Sequence, residues 1–114
     1  MTQHDDLKRL QDMLDYAQEA VEFAAGRQRQ DLETDRPFRF ALTHMVEIVG
    51  EAAAHVPEPL RATHTGIPWT DIVALRNRLI HGYSDVDLDI LWDILRIDLP
   101  PLIAELRKIL GQGG

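Results

Sequence analysis

Apolar residues recur along this chain at the three-and-four spacing of a helix, and no stretch of useful length alternates as a strand would. Leu7, Leu10, Leu14, Ala17, Val21 and Ala24 form one stripe, backed by Lys8, Arg9, Asp12, Asp15 and Glu19, and predict an amphipathic helix ending at Gly26. Arg27 to Asp35 is polar but for Leu32 and reads as a solvated connection. Asp35 or Arg36 then suits a helix cap with Pro37 in the first turn, opening a second helix that runs to about His55. That helix carries two apolar seams: Phe38, Ala41, Met45, Ile48 and Ala52, and beside them Leu42, Val46, Val49, Ala53 and Val56. A face so broad must be buried by more than one neighbour, and Gly50 with its flanking alanines lets one of them come close. The remaining polar strip is narrow: Arg39, Thr43, Glu47, Glu51 and His55.

Pro57, Pro59, Gly66 and Pro68 make the next segment a loop, with a turn of helix near Pro59 to Ala62. A short helix from Trp69 follows. Trp69, Ile72, Val73, Leu79 and Ile80 share one of its faces, with Arg76 at the centre, and Gly82 stops it after His81, leaving Tyr83 on the turn outside. The last helix starts near Asp85 or Asp87 and carries Leu88, Leu91, Leu95, Leu99, Leu102, Leu106 and Ile109, with a kink or break at Pro100-Pro101. Gly111 to Gly114 is expected to be disordered. Four principal helices with short or medium connections predict an all-α fold, an antiparallel four-helix bundle making a single domain over residues 1–114.

Composition narrows the chemistry. The 114 residues hold no cysteine, which excludes disulfides, thiolate catalysis and a Cys-based zinc site. His4, His44, His55, His64 and His81 are scattered and only Glu51 and His55 have ligand-like spacing, so no metal site and no cofactor are expected. Met1 to Asp6 lacks the features of a signal peptide and no run approaches the roughly 20 apolar residues of a membrane span, so the expected location is cytoplasmic. Net charge is −7, from 19 acids against 12 bases, the opposite of a general nucleic-acid-binding surface. Any RNA contact must therefore be local. Arg27, Arg29, Arg36 and Arg39 cluster, but Asp31, Glu33 and Asp35 between them favour an ordinary solvated surface. Trp69 and Trp92 read as core.

Leu75 to Tyr83 holds the candidate chemistry. A guanidinium cannot deprotonate to escape an apolar face, so Arg76 needs an anion: Glu47 or Glu51 of the second helix, a partner, or a substrate. His81 carries a proton either way near neutral pH, and a fixed cation beside a titratable base suits phosphoryl chemistry. Residues five apart on a helix differ by about 140°, so Arg76 and His81 of one chain do not share a face. Either unwinding at Gly82 swings His81 round, or a two-fold axis brings two copies of the motif into one cleft.

Arg76, Asn77, His81 and Tyr83 resemble the motif of HEPN-domain proteins, and within them the HepT-like toxins of two-component toxin and antitoxin pairs. Ile48 to Ala53, Pro68-Trp69 and the Trp92 helix extend the likeness over roughly residues 5 to 110. The resemblance implies a homodimer with a composite site that cuts RNA without a metal, Arg76 and His81 being catalytic and Asn77 supporting. Glu51 either pairs with Arg76 at rest and yields to phosphate or is purely structural. In HepT-like toxins the motif tyrosine, here Tyr83, receives AMP from a cognate MntA-like minimal nucleotidyltransferase antitoxin, which implies that protein as a partner beside RNA. The alternative is a non-catalytic helical subunit that docks a nucleotidyltransferase or holds a nucleotide, with Arg76 as a phosphate clamp.

Overall fold

A computed structural model describes residues 3–81 and 85–112; Gly82, Tyr83 and Ser84, the last two glycines and the first two residues lie outside the described part. The chain is mostly helical. In order come α1 (Gln3–Ala24), α2 (Asp31–Thr34), α3 (Arg36–Ala54), α4 (Glu58–Thr63), α5 (Trp69–Val73) and α6 (Leu75–Leu79). Two short strands, β1 (Ile80–His81) and β2 (Asp85–Val86), lead into α7 (Leu88–Asp93), a π-helical turn (Ile94–Asp98) and α8 (Leu99–Leu110).

The long helices form where the periodicity places them, and α1 lies against both α3 and α8. Leu10, Met13, Leu14, Ala17 and Ala20 of α1 are fully buried, as are Leu42, Val46, Val49 and Ala53 of α3 and Leu99 and Leu106 of α8. Leu7, at the start of the α1 stripe, remains 43% exposed. Beyond α1, α3 also meets α5 and α6, which explains the breadth of its apolar face.

Arg27 to Asp35 departs from the solvated connection the sequence predicts. Gly26 turns the chain at φ 77°, and α2 then buries Leu32 completely. Arg27 bonds Asp31 at 3.2 Å and Asp35 at 2.8 Å while its guanidinium stacks 3.8 Å from the Phe38 ring centroid. Asp35 in turn caps α3 by accepting from the Phe38 N–H. Arg27 and that N–H together hold the Asp35 carboxyl below its ordinary pKa.

Pro57 and Pro59 admit a longer helix than one turn, because Pro59 falls in its first turn where no N–H is needed. Arg61 of α4 donates to the carbonyls of Ala53, Ala54 and Val56, satisfying the C-terminal end of α3. Trp69 is half-buried and donates its indole N–H to the His64 carbonyl at 2.9 Å.

The helix expected from Trp69 through His81 differs in two respects. It breaks at Ala74 (φ −82°, ψ 3°), and it ends at Leu79 rather than at Gly82. Ile80 is already extended, and β1 pairs antiparallel with β2, Ile80 opposite Val86 and His81 opposite Asp85. Two residues a side are too few to register as alternation, so the hairpin leaves no pattern in the sequence.

Asp87 caps α7, accepting from the Ile90 N–H at 3.0 Å. At Pro100-Pro101 the sequence predicts a kink or break; the structure places a π-helical turn just upstream and then resumes the α-helix. Pro100 and Pro101 lack the N–H groups that Arg96 and Ile97 carbonyls would otherwise accept, so the ladder rearranges there. Arg78 bonds Asp98 at 3.0 Å and ties α6 to this turn. Contrary to the expected disorder, Gly111 (φ 67°) closes α8 and the Gln112 N–H donates to the Arg107 carbonyl; Gly113 and Gly114 lie outside the described residues. Among the described residues no helix is long and apolar enough to cross a membrane.

Gly50 sits where α3 meets the α5–α6 junction: a Cβ there would lie 3.2 Å from the Ile72 carbonyl oxygen and 3.5 Å from the Leu75 Cβ. Gly50→Val is expected to destabilise the protein by about 1–3 kcal/mol through overpacking, measured by denaturant unfolding. Wild-type stability would mean that the junction is free to move off α3.

Candidate active site

Including Leu75 resolves where Arg76 points. On the α6 wheel Leu75 and Leu79 lie about 100° and 60° to one side of Arg76, and Ile72 lies before the break at Ala74, so the apolar face of α6 is centred away from Arg76. Those three residues are buried, and the Arg76 side chain is 69% exposed at the edge. The expectation of a cation in the middle of an apolar face is therefore corrected.

Arg76 reaches across to α3, where its Nε donates to Glu47 Oε2 at 3.0 Å. Its two terminal nitrogens make no hydrogen bond among the described residues, leaving the open side of the fork available to an anion. His44, Glu47, Ile48, Glu51 and Arg76 line a shallow groove of about 280 Å³. Glu51 belongs to this groove but does not pair with Arg76; its Oε1 lies 3.9 Å from the Nδ1 of exposed His55. Of the two acids the sequence offers Arg76, the structure selects Glu47.

His81 is exposed on β1, and its Nε2 lies 3.3 Å from Asp87 Oδ2. Asp87 therefore serves twice, as cap of α7 and as carboxylate partner of the imidazole. The Ile90 N–H, and then His81 in its protonated form, hold Asp87 below its ordinary pKa. In the neutral imidazole a carboxylate beside Nε2 favours the tautomer that keeps the proton on that nitrogen, which leaves the Nδ1 lone pair to act as a base. The sequence contains a signal for Asp87 as a helix cap, but its reach to His81 depends on the hairpin, which the sequence does not announce.

Arg76 and His81 thus face different neighbours, α3 and the start of α7, each held by its own carboxylate. Asn77 is exposed and without a hydrogen bond among the described residues, and because the helix ends at Leu79 it lacks the one-turn relation to His81 that a continuous helix provides. Tyr83 lies outside the described residues. Trp69 and Trp92 pack against the core, as their sequence context predicts. Among the described residues no three His, Asp or Glu side chains are grouped to hold a metal ion.

Comparison with known proteins adds kinship to this geometry. The family described as ribonuclease HepT-like matches residues 13–109. A protein of Thermococcus cleftensis named "Probable ribonuclease HepT" is 32% identical, the match covering 86% of this chain and 93% of the relative. A protein of Methanocaldococcus jannaschii, provisionally named an RNase, is 31% identical over 88% of this chain and 92% of its own. Another provisionally named RNase, from Caldanaerobacter subterraneus subsp. tengcongensis, is 30% identical over 89% and 90%. No solved structure matches the chain significantly.

The lowered pKa of Asp87 gives a signed expectation. Its stabilisation is present above the unfolded value, near the ordinary 3.8, and is lost as pH falls through the lower folded value. Asp87→Asn keeps an oxygen for the Ile90 N–H but never has that charge. The wild type is expected to melt higher than Asp87→Asn at neutral pH, with the gap closing below pH 3.8. A gap that is absent, or constant down through this range, would show that the carboxylate charge contributes nothing.

Proposed function

This chain belongs to the HepT-like ribonuclease family, and we propose that it cuts RNA internally, without a metal ion, using His81 and Arg76. In this family it is an RNA-cleaving hydrolase. The observation that carries the reading is an exposed imidazole beside Asp87 on the same short motif as an exposed guanidinium whose terminal nitrogens make no hydrogen bond among the described residues. His81 Nδ1 takes the proton of a ribose 2′-hydroxyl, and the freed oxygen attacks the adjacent phosphorus. The bond to the 5′-oxygen breaks, that oxygen receives a proton from an acid, and a 2′,3′-cyclic phosphate remains. Arg76 exchanges Glu47 for the non-bridging oxygens as charge concentrates on the phosphorane. Base, acid and electrostatic stabiliser together are sufficient for this transfer without a Lewis acid.

The second half of the proposal is assembly. Arg76 and His81 of one chain address different neighbours, so the site is completed by a homodimer in which the second copy's His81 supplies the acid. Ile97, 64% exposed on the π-helical turn, and Leu7 and Phe23 offer apolar surface for such a contact. Each protomer is a single HEPN-like domain of residues 1–114, an antiparallel four-helix bundle whose last helix kinks at the π-helical turn. The protein works in the cytoplasm as the toxin of a two-component system. Asn77 contacts phosphate from its exposed position, and Glu51 shares the Arg76 groove as a supporting residue. A cognate MntA-like minimal nucleotidyltransferase antitoxin attaches AMP to Tyr83, placing a phosphate charge and a bulky base where RNA must enter.

Purified, unmodified protein is expected to cut total RNA in excess chelator, and His81→Ala, confirmed folded and dimeric, to lose at least a hundredfold in rate. If neither cuts while the mass of Tyr83 shows no modification, the chain is a binding subunit instead. Tyr83→Phe is expected to arrest growth even when the nucleotidyltransferase is co-expressed. Normal neutralisation of that variant would place the modification elsewhere.

A further inference from the structure

A cavity of about 450 Å³ opens between the start of α3 and the His81 hairpin, lined by Arg36, Arg39, Phe40, Asp85, Val86 and Leu88. Phe40 is 52% exposed, which is unusual for so large an apolar ring. The Arg36 and Arg39 guanidinium carbons lie 5.0 Å and 5.4 Å from its centroid.

The basic segment divides here. Arg27 is held by Asp31 and Asp35, and Arg29 by Glu33 and Asp89. Among the described residues Arg36 and Arg39 have no carboxylate partner; Arg39 donates to the Leu32 carbonyl and Arg36 has only the ring. In a chain of net charge −7, two uncompensated cations beside an exposed aromatic ring mark a local anion-binding surface. It adjoins the candidate active site, because Asp85 lies directly opposite His81 and opposed residues of an antiparallel pair leave the same face of the ladder. Asp85 is the one acid on the lining.

We propose that this cavity is a substrate subsite for single-stranded RNA: one base stacks on Phe40 while Arg36 and Arg39 hold the flanking phosphates and guide a nearby phosphodiester to His81. Any base has a face to stack, and an arginine pair reads backbone rather than sequence, so the subsite recognises a flexible strand without selecting its bases. It rests on the ribonuclease reading and assigns that site its substrate class.

The test uses the full chain and an RNA oligonucleotide spanning a mapped cut, beside one trimmed to the two nucleosides at the cut. Phe40→Ala is expected to raise KM about tenfold on the longer RNA, leave KM on the trimmed one unchanged, and alter kcat little on either. Phe40→Trp is expected to restore wild-type KM. Binding of the labelled longer RNA, read by fluorescence anisotropy in a His81→Ala background, is expected to weaken equally on adding Phe40→Ala. Arg36→Gln is expected to lower the slope of log affinity against log salt by about 0.7. Unchanged KM and binding in Phe40→Ala, an equal KM rise on both RNAs, or a change in its sedimenting mass would overturn the subsite, the last marking a protein contact. Wild type that fails to cut but loses RNA binding on Phe40→Ala would instead sink the nuclease reading and keep the subsite.

Discussion

The close approach of α3 to the α5–α6 junction is the constraint on which the rest depends. Gly50 has no side chain, so the carbonyls of Ile72 and Val73 rest almost on the α3 backbone. One turn away Glu47 projects from the same helix, and α6 delivers Arg76 to it. With α1 also packed against it, α3 is held by neighbours that keep Glu47 turned toward the motif. The guanidinium is thus positioned by packing several residues distant, and the ion pair records that position rather than creating it.

Charge is organised the same way, locally and against the balance of the whole chain. An acidic protein repels RNA at long range, and a surface ion pair adds little to stability. What distinguishes the arginines is how much of each is already engaged. Arg27 and Arg29 are each held by two carboxylates and brace α2 and α7. Among the described residues Arg76 is engaged through one nitrogen, and Arg36 through none. Of these four, the two left open line grooves flanking the motif segment, where a polyanion would be useful, and the two held by carboxylates lie where the chain needs bracing.

Much of this was legible from residue order because long helices announce themselves by period. The α1 stripe, the Asp35 cap with Pro37 and the double seam of α3 each correspond to a structural fact. What escaped were features shorter than a period. A four-residue helix, a break at Ala74 and two-residue strands each contain too few positions for a pattern, and all three come from tertiary contacts. Trp69, Ile72, Val73, Leu79 and Ile80 alone centre the apolar face on Arg76, whereas fully buried Leu75 draws that centre away from it. Asp87 was visible as a cap and invisible as a partner, since the hairpin that returns the chain to His81 leaves no alternation to read.

The early helix end at Leu79 has a consequence for how the motif works. A helix continued to Gly82 would hold His81 about 140° from Arg76 on one rigid rod, with no neighbour of its own. Extension at Ile80 instead brings His81 to Asp87, a carboxylate immobilised by the Ile90 N–H at the start of α7. Glu47 is different: its carboxylate has no partner but Arg76 among the described residues, and it ends a flexible side chain. The imidazole is held by a group that cannot leave, while the guanidinium is held by one that can. The proposed reaction needs a fixed tautomer at its general base and an exchangeable anion at its phosphate-binding cation, and the two carboxylates differ in that sense.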